Sequence, residues 1–177
     1  MKEMTKKLVL VFIAFAFSAA TFAQVSATAN ASATIITPIT ITKVVGADMN
    51  FRNIAVNATP GTVVLTPGGT RSLTGGCTLP ASAGTVTAAA FTVTGLAAAT
   101  YSITLPGVAT TIVSGANNMT VDTWTSTPNA SGTLAGGTDN LTVGATLHVG
   151  ASQAAGTYTS ADPFSVTVNY NLCHVIR

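Results

Sequence analysis

Two cysteines and two histidines carry most of the reactive chemistry available to this chain of 177 residues. Cys173 and His174 are neighbours that could form a thiolate–imidazole nucleophile pair, but adjacent side chains on an extended chain point to opposite faces. Cys77 and His148 are far from them in the sequence, and no Cys-x-x-Cys spacing is present to begin a metal site. These residues therefore predict neither cysteine catalysis nor a metal centre.

Carboxylates and serines offer no catalytic pattern either. Four aspartates are scattered along the chain without a close pair, at Asp48, Asp122, Asp139 and Asp162. No calcium loop of the Asp-x-Asp-x-Asp type occurs, and the Gly-x-Ser-x-Gly sequence around a hydrolase nucleophile is absent. We expect a protein that is not an enzyme and that has no catalytic residues, no metal ligands and no cofactor.

The first 23 residues have the order of a secretory signal. Lys2, Lys6 and Lys7 precede an unbroken apolar run over 8–17, and small residues lead to a cleavage position after Ala23. This run is shorter than the about 20 residues that a membrane-spanning helix needs, and we expect no transmembrane segment in the mature chain. The prediction is a signal peptide over 1–23, an N-terminal strand or extension over 24–36 and one domain over 37–177. The mature protein is then exported to the periplasm, the cell surface or the medium.

Export would allow the two cysteines to form a disulfide, because disulfides persist in oxidising compartments. A bridge between Cys77 and Cys173 would close a loop of roughly 95 residues and would stabilise the fold by about 4–5 kcal/mol if chain entropy dominates. Each cysteine lies in a glycine-rich or tail context, so two unpaired thiols are the alternative. The sequence leaves both open.

Charge is scarce in the mature chain. The precursor has a formal net charge of +2, from 7 Lys and Arg against 5 Asp and Glu. Removing 1–23 takes away three lysines and one glutamate, which leaves four basic and four acidic side chains. Charged residues are 7% of the sequence, where about 25% is usual. A basic surface for nucleic acid is therefore excluded. Weak repulsion between copies suits self-assembly or association with related surface subunits.

Alternation of apolar and polar residues dominates the mature chain and predicts β-strands. It is clearest over 140–150 and 164–170, and shorter predicted strands lie at 39–41, 62–66, 91–94, 101–105 and 118–125. Glycine and proline turn residues separate them, and helix signals are nearly absent. Several short strands at this spacing predict an all-β fold, an antiparallel β-sandwich.

The segment from Gln24 to Ile35 alternates in a different way, because its apolar side chains are mostly alanines. One face would carry Val25, Ala27, Ala29, Ala31, Ala33 and Ile35, and the other face would carry small polar residues. An ordinary first strand or a spacer after the signal explains this pattern. The sharper hypothesis is a donor strand that completes the sheet of a neighbouring subunit, where backbone hydrogen bonds supply affinity and alternate side chains fill pockets.

Trp124 is the only tryptophan of the chain. Strict alternation over 118–125 places it with Thr120 and Asp122, opposite Met119 and Val121. It would then be an exposed aromatic residue of the kind that contacts a sugar or a partner. The alternative is a β-bulge that turns Trp124 into the core.

Six stretches of the chain resemble a family of small exported bacterial proteins known only as a domain of unknown function. The resemblance runs from about Ala27 to Asn171. The matching stretches are 31–43, 49–56, 61–67, 91–95, 101–105 and 141–145. The family brings no known activity and no catalytic residues.

The end of the domain is similar, more distantly, to chaperone–usher pilins and spore-coat-U-type proteins. In those families a Gly-x-Tyr element opens the last strand and a Tyr lies near its end, as Gly156–Tyr158 and 164–170 do here. Such pilins are incomplete immunoglobulin-like sandwiches that the N-terminal extension of another subunit completes, and 24–35 stands where that extension would be. Here 172–177 follows the last Tyr and could instead provide a closing strand.

The residues and the resemblances together predict an immunoglobulin-like, pilin-like β-sandwich with a structural or surface-assembly function. We expect it to polymerise through its N-terminal strand. The alternative is a monomeric secreted module that binds carbohydrate or protein through Trp124 and loops.

Overall fold

The computed structural model describes residues 24–171, and all regular structure in this range is β-strand. The strands are β1 (Thr40–Lys43), β2 (Ala55–Leu65), β3 (Arg71–Thr78), β4 (Ala89–Thr94), β5 (Thr100–Thr104), β6 (Thr110–Ser114), β7 (Asn117–Thr127), β8 (Ser131–Thr133), β9 (Thr138–Val149), β10 (Thr159–Ser160) and β11 (Thr167–Tyr170). All pairings between them are antiparallel. Over the described residues the structure contains no apolar helix of membrane-spanning length. The prediction of an all-β antiparallel fold is confirmed.

The larger sheet is built around β9, in the order β1-β4-β9-β7-β6-β10. The first half of β9, Thr138 to Val143, pairs with β4, and the second half, Ala145 to Val149, pairs with β2. The sheet therefore branches along one edge of β9, and β2 continues it to β3. The odd-numbered residues from Leu141 to Val149 are buried, as the alternation in the sequence predicts.

The smaller sheet has three strands in the order β11-β5-β8, and it covers one half of the larger sheet. Tyr101 and Ile103 of β5 and Val168 of β11 pack with Leu141 and Val143 of β9. We call this buried cluster the second core. Its members are Ala89, Val93, Tyr101, Ile103, Leu134, Leu141, Val143 and Val168.

The first core lies against the other half of the larger sheet. Its members are Phe51, Val63, Leu65, Cys77, Val121, Ala145, Leu147 and Val149. None of these residues belongs to the smaller sheet. Within residues 24–171, strands of the smaller sheet therefore do not cover the half of the larger sheet that carries the first core. The side chains that pack on it from outside the strands come from connections, namely Met49, Phe51, Ile54 and Val86.

Residues 24–39 precede the first strand and have no regular structure. The side chains of 24–35 are exposed, and Val25 and Ile35 are 94% and 97% accessible. The predicted signal peptide, 1–23, lies outside the described residues, and so does the tail 172–177.

The last strand is shorter than its sequence pattern. The alternation begins at Phe164, but the ladder of β11 with β5 begins at Thr167, opposite Thr104. The reason is that β5 ends at Thr104 and is followed by Leu105 and Pro106, where proline has no amide hydrogen to donate. Residues 164–166 therefore continue the pattern of β11 without a strand partner in the described chain.

Candidate functional site

Cys77 is a buried residue of the first core, with 6% of its surface exposed. Burial raises the pKa of its thiol, which disfavours the reactive thiolate. Cys173 and His174 lie outside the described residues. The Cys77–Cys173 bridge and two unpaired thiols therefore stay the two alternatives, and the absence of a cysteine–histidine nucleophile stays a prediction.

His148 and Asp122 meet on the outer face of the larger sheet. His148 is paired with Thr120 across β9 and β7, which brings its Nε2 atom within 2.8 Å of Oδ1 of Asp122. The hydrogen bond to His148 holds the pKa of Asp122 below its ordinary value. Both side chains are more than one third exposed. Across residues 24–171 no three His, Cys, Asp or Glu side chains converge to hold a metal ion. This is a surface pair, of a kind that contributes little to stability.

Two further aspartates have structural partners. Asp139 accepts a hydrogen bond of 2.9 Å from the hydroxyl of Tyr101, which is fully buried. Burial, together with that bond, raises the pKa of Tyr101 well above its ordinary value. Asp48 pairs with Lys43 at the surface. These contacts tie neighbouring elements together and do not bring two carboxylates to one place.

A groove of about 1170 Å³ lies beside the first core. Its lining comes from the inner face of the larger sheet, from the segment 48–56 and from the segment 153–164. Pockets for small ligands usually have about 300–1,000 Å³. The groove is thus large enough for a segment of polypeptide.

Large apolar side chains in the groove are only half-buried. They are Met49, Ile54, Val56, Phe91, Ile112, Met119, Trp124 and Phe164. Ligand-binding clefts are typically lined by apolar and aromatic side chains of this kind. The charged lining residues already have partners, since Lys43 pairs with Asp48 and Nε of Arg52 donates to the Thr85 carbonyl at 2.7 Å. The groove therefore suits an uncharged, apolar occupant.

Trp124 reaches this groove through a β-bulge. The pairing of β7 with β9 shifts between Asp122 and Thr125, so that two residues of β7, Thr123 and Trp124, lie opposite one residue of β9. Thr123 has a φ of 49°. The bulge turns Trp124 to the inner face, where it packs on both cores, its ring centroid 4.5 Å from that of Phe164. The structure thus has the bulge that the alternative interpretation of Trp124 required.

Arg71 holds the segment 48–56 in place. Its guanidinium donates to the main-chain carbonyl of Phe51 and, at longer range, to those of Asn53 (3.4 Å) and Ala83 (3.2 Å). Arg71 is the first residue of β3 and is half-buried. A charged donor in β3 therefore fixes one side of the groove by binding three carbonyls.

On the other side of the groove, Gln153 and Tyr158 form hydrogen bonds within the protein. Nε2 of Gln153 donates to the Asn118 carbonyl at 3.1 Å and to the Tyr158 hydroxyl at 2.9 Å. That hydroxyl donates to the Ala154 carbonyl at 2.7 Å. The side chains of Gln153 and Tyr158 are thus engaged within the segment and with β7.

Sequence reasoning missed most residues of the groove. Met119 and Phe164 belong to predicted strands and Ile112 lies in a strand that the sequence pattern does not predict, and nothing in their local pattern separates a covered residue from an uncovered one. Only the pairing of distant strands decides that the smaller sheet covers the second core and leaves the first core open.

Comparison with known proteins gives one match to a family. The model described as "Domain of unknown function (DUF4402)" matches residues 39–170, which is most of the chain. No curated protein and no solved structure shows significant similarity to the chain.

Proposed function

We propose that this chain, which belongs to the DUF4402 family, is an exported structural protein that assembles with copies of itself through residues 24–35. Its fold would be an incomplete immunoglobulin-like, pilin-like sandwich. Its site of action would be the periplasm, the cell surface or the medium. We assign it no catalytic activity and no cofactor.

The observation that carries this proposal is the open groove at the first core. Eight large apolar side chains line it and are half-buried, and each Å² of apolar surface removed from water stabilises by about 25 cal/mol. Covering such a surface is therefore a substantial source of free energy for association.

The segment 24–35 has the composition of an occupant for such a groove. It has no ionisable side chain, and every second residue is apolar. It is exposed and without regular structure, so its backbone groups are available for β-augmentation, in which an added strand contributes main-chain hydrogen bonds.

The test is a pair of matched variants of the mature chain, Ala29→Asp and Asn30→Asp. The first places a carboxylate on the apolar face of the segment, and the second places the same group on the polar face one residue away. We expect wild type and Asn30→Asp to form heat-labile oligomers in light scattering and gel analysis, and Ala29→Asp to remain a monomer. Wild-type protein that is monodisperse and monomeric at high concentration would contradict the proposal.

A second candidate function is a monomeric module that binds carbohydrate or protein in the groove. Half-buried aromatic side chains at Trp124 and Phe164 favour it, because stacked aromatic surfaces are common contacts for such partners. Binding on a glycan array that Trp124→Ala abolishes, from a wild-type chain that stays monomeric, would support this candidate over assembly.

A further inference from the structure

The structure also points to where the second copy binds, an inference that rests on the proposed self-assembly. We infer that residues 24–35 of a second copy occupy the groove as a fourth strand of the smaller sheet. The backbone of this strand pairs with the open edge of residues 164–170, and its apolar face covers the half-buried side chains of the groove.

The open edge follows from the hydrogen bonds of the smaller sheet. The amide of Asn171 donates to the Thr100 carbonyl, on the side of β5. Because the bonding direction alternates along an antiparallel strand, Thr167 and Asn169 face β5 as well. The main-chain groups of Val166 and Val168 therefore point away from β5. Among the described residues β11 pairs with β5 alone. β1 comes within 8 Å of β11 without pairing with it, so an added strand has its access at the 164–166 end of this edge, where Phe164 lines the groove.

Phe164 connects that edge to the groove. It lines the groove and contacts Trp124, and it also packs against the second core. Val166 and Val168 continue the same face, with Val168 buried in the second core. A strand added along 164–170 would thus begin beside the aromatic pair, at the border of the groove.

The side chains of the segment match this position in size and charge. Four alanines separate Val25 from Ile35, a span of about 33 Å in an extended strand. Ile112 and Met119 line the groove, and small side chains on an added strand would let its backbone approach them closely. Side chains without charge also avoid the cost of burying an unpaired ion.

The experiment uses the full mature chain with the Ala29→Asp substitution as the acceptor and a synthetic peptide of residues 24–35 as the probe. Trp124 is the only tryptophan, so its emission reports the groove directly. We expect the wild-type peptide to shift the emission to shorter wavelength in a saturable manner. A peptide that carries Ala29→Asp should bind at least tenfold more weakly.

Substitutions in the groove locate the site. Ile112→Asp, on the inner face of β6, should weaken peptide binding at least tenfold, whereas Thr111→Asp, on the outer face of the same strand, should leave it unchanged. Circular dichroism and thermal melting check that both fold. If Ile112→Asp does not fold, Met119→Lys with Thr120→Lys as its outer-face control gives the same comparison in β7.

Peptides with N-methylated alternate amides test the backbone pairing. One peptide is methylated at residues 27, 29 and 31 and another at 28, 30 and 32, so at least one of them loses the hydrogen bonds to the open edge. We expect at least one to bind tenfold more weakly or worse. If both bind as the unmodified peptide does, the pairing along 164–170 is wrong.

The outcomes separate this inference from the proposed function. Wild-type protein could form oligomers while the peptide leaves the emission of Trp124 unchanged and Ile112→Asp oligomerises like Thr111→Asp. In that case the proposed assembly stands and the proposed binding site in the groove is wrong. If wild-type protein is a monomer whose Trp124 emission shifts to longer wavelength on deletion of 24–35, the segment closes its own groove, and both proposals fail.

Discussion

Arg71 gives the sharpest stability prediction, because one side chain binds three main-chain carbonyls at the edge of the groove. We consider Arg71→Met, which keeps the apolar stem of the side chain and removes the guanidinium. A hydrogen bond from a charged donor is worth about 1.5–3 kcal/mol. Two of the three bonds are long, at 3.2 and 3.4 Å, so we expect a total loss of about 2–3 kcal/mol in the free energy of unfolding.

For a domain of this size each kcal/mol lowers the melting temperature by about 2–4 °C, so Arg71→Met should lower it by about 4–12 °C in differential scanning calorimetry. The matched control is Arg52→Met, because Arg52 is exposed and its side chain makes one carbonyl bond, to Thr85. That variant should change the free energy by less than about 1 kcal/mol, as surface substitutions do. If the two variants melt within 1–2 °C of each other, the assignment of Arg71 as the residue that holds 48–56 is wrong.

Two other predictions concern the second core and the outer face. In Gly132→Ala the new Cβ would lie 2.5 Å from Cζ of the fully buried Tyr101, and overpacking of this kind costs about 1–3 kcal/mol. Gly107→Ala, where no atom lies within 4 Å of the new Cβ, is the control, and equal melting temperatures for the two would contradict the packing. Asp122 has a lowered pKa because of its bond to His148, so its stabilising effect is present above its ordinary pKa of about 3.9 and is lost as pH falls through the lower folded value. The difference in melting temperature between wild type and Asp122→Asn should therefore shrink in acid, and a difference that is constant from pH 6 to pH 2 would count against this coupling.

The strands could be predicted from the sequence where one face is buried along the whole element. In β9 the alternation from Leu141 to Val149 predicts both the strand and its inner face, since each inward residue meets one of the two cores. At Trp124 the same rule is insufficient. The bulge depends on the pairing of β7 with β9, and the polar residues Thr123 and Thr125 on either side of Trp124 give no local sign of it.

The groove could not be predicted from the sequence, because it results from contacts between distant segments. It depends on how β9 divides its edge between β4 and β2, and on β5 ending at Thr104 before it can pair with Phe164. The sequence does mark the segment 24–35 as unusual, through its alanines. The residues that these alanines would contact depend on the fold. The fold in turn depends on pairings between distant strands, which no local sequence pattern predicts.

An apolar groove on a nearly uncharged protein raises the question of how unwanted association is limited. Charge repulsion is weak in a chain with only 7% charged residues, so discrimination between partners must come from shape. Ile112 and Met119 line the groove, and a strand packed closely on them would have room for alanines but would reject larger side chains by overlap, which is specificity by steric rejection. The small side chains of the segment bury little area each and so limit the affinity per residue. Main-chain hydrogen bonds along 164–170 would then provide the remaining free energy, which explains why a segment so poor in large residues can be a specific partner.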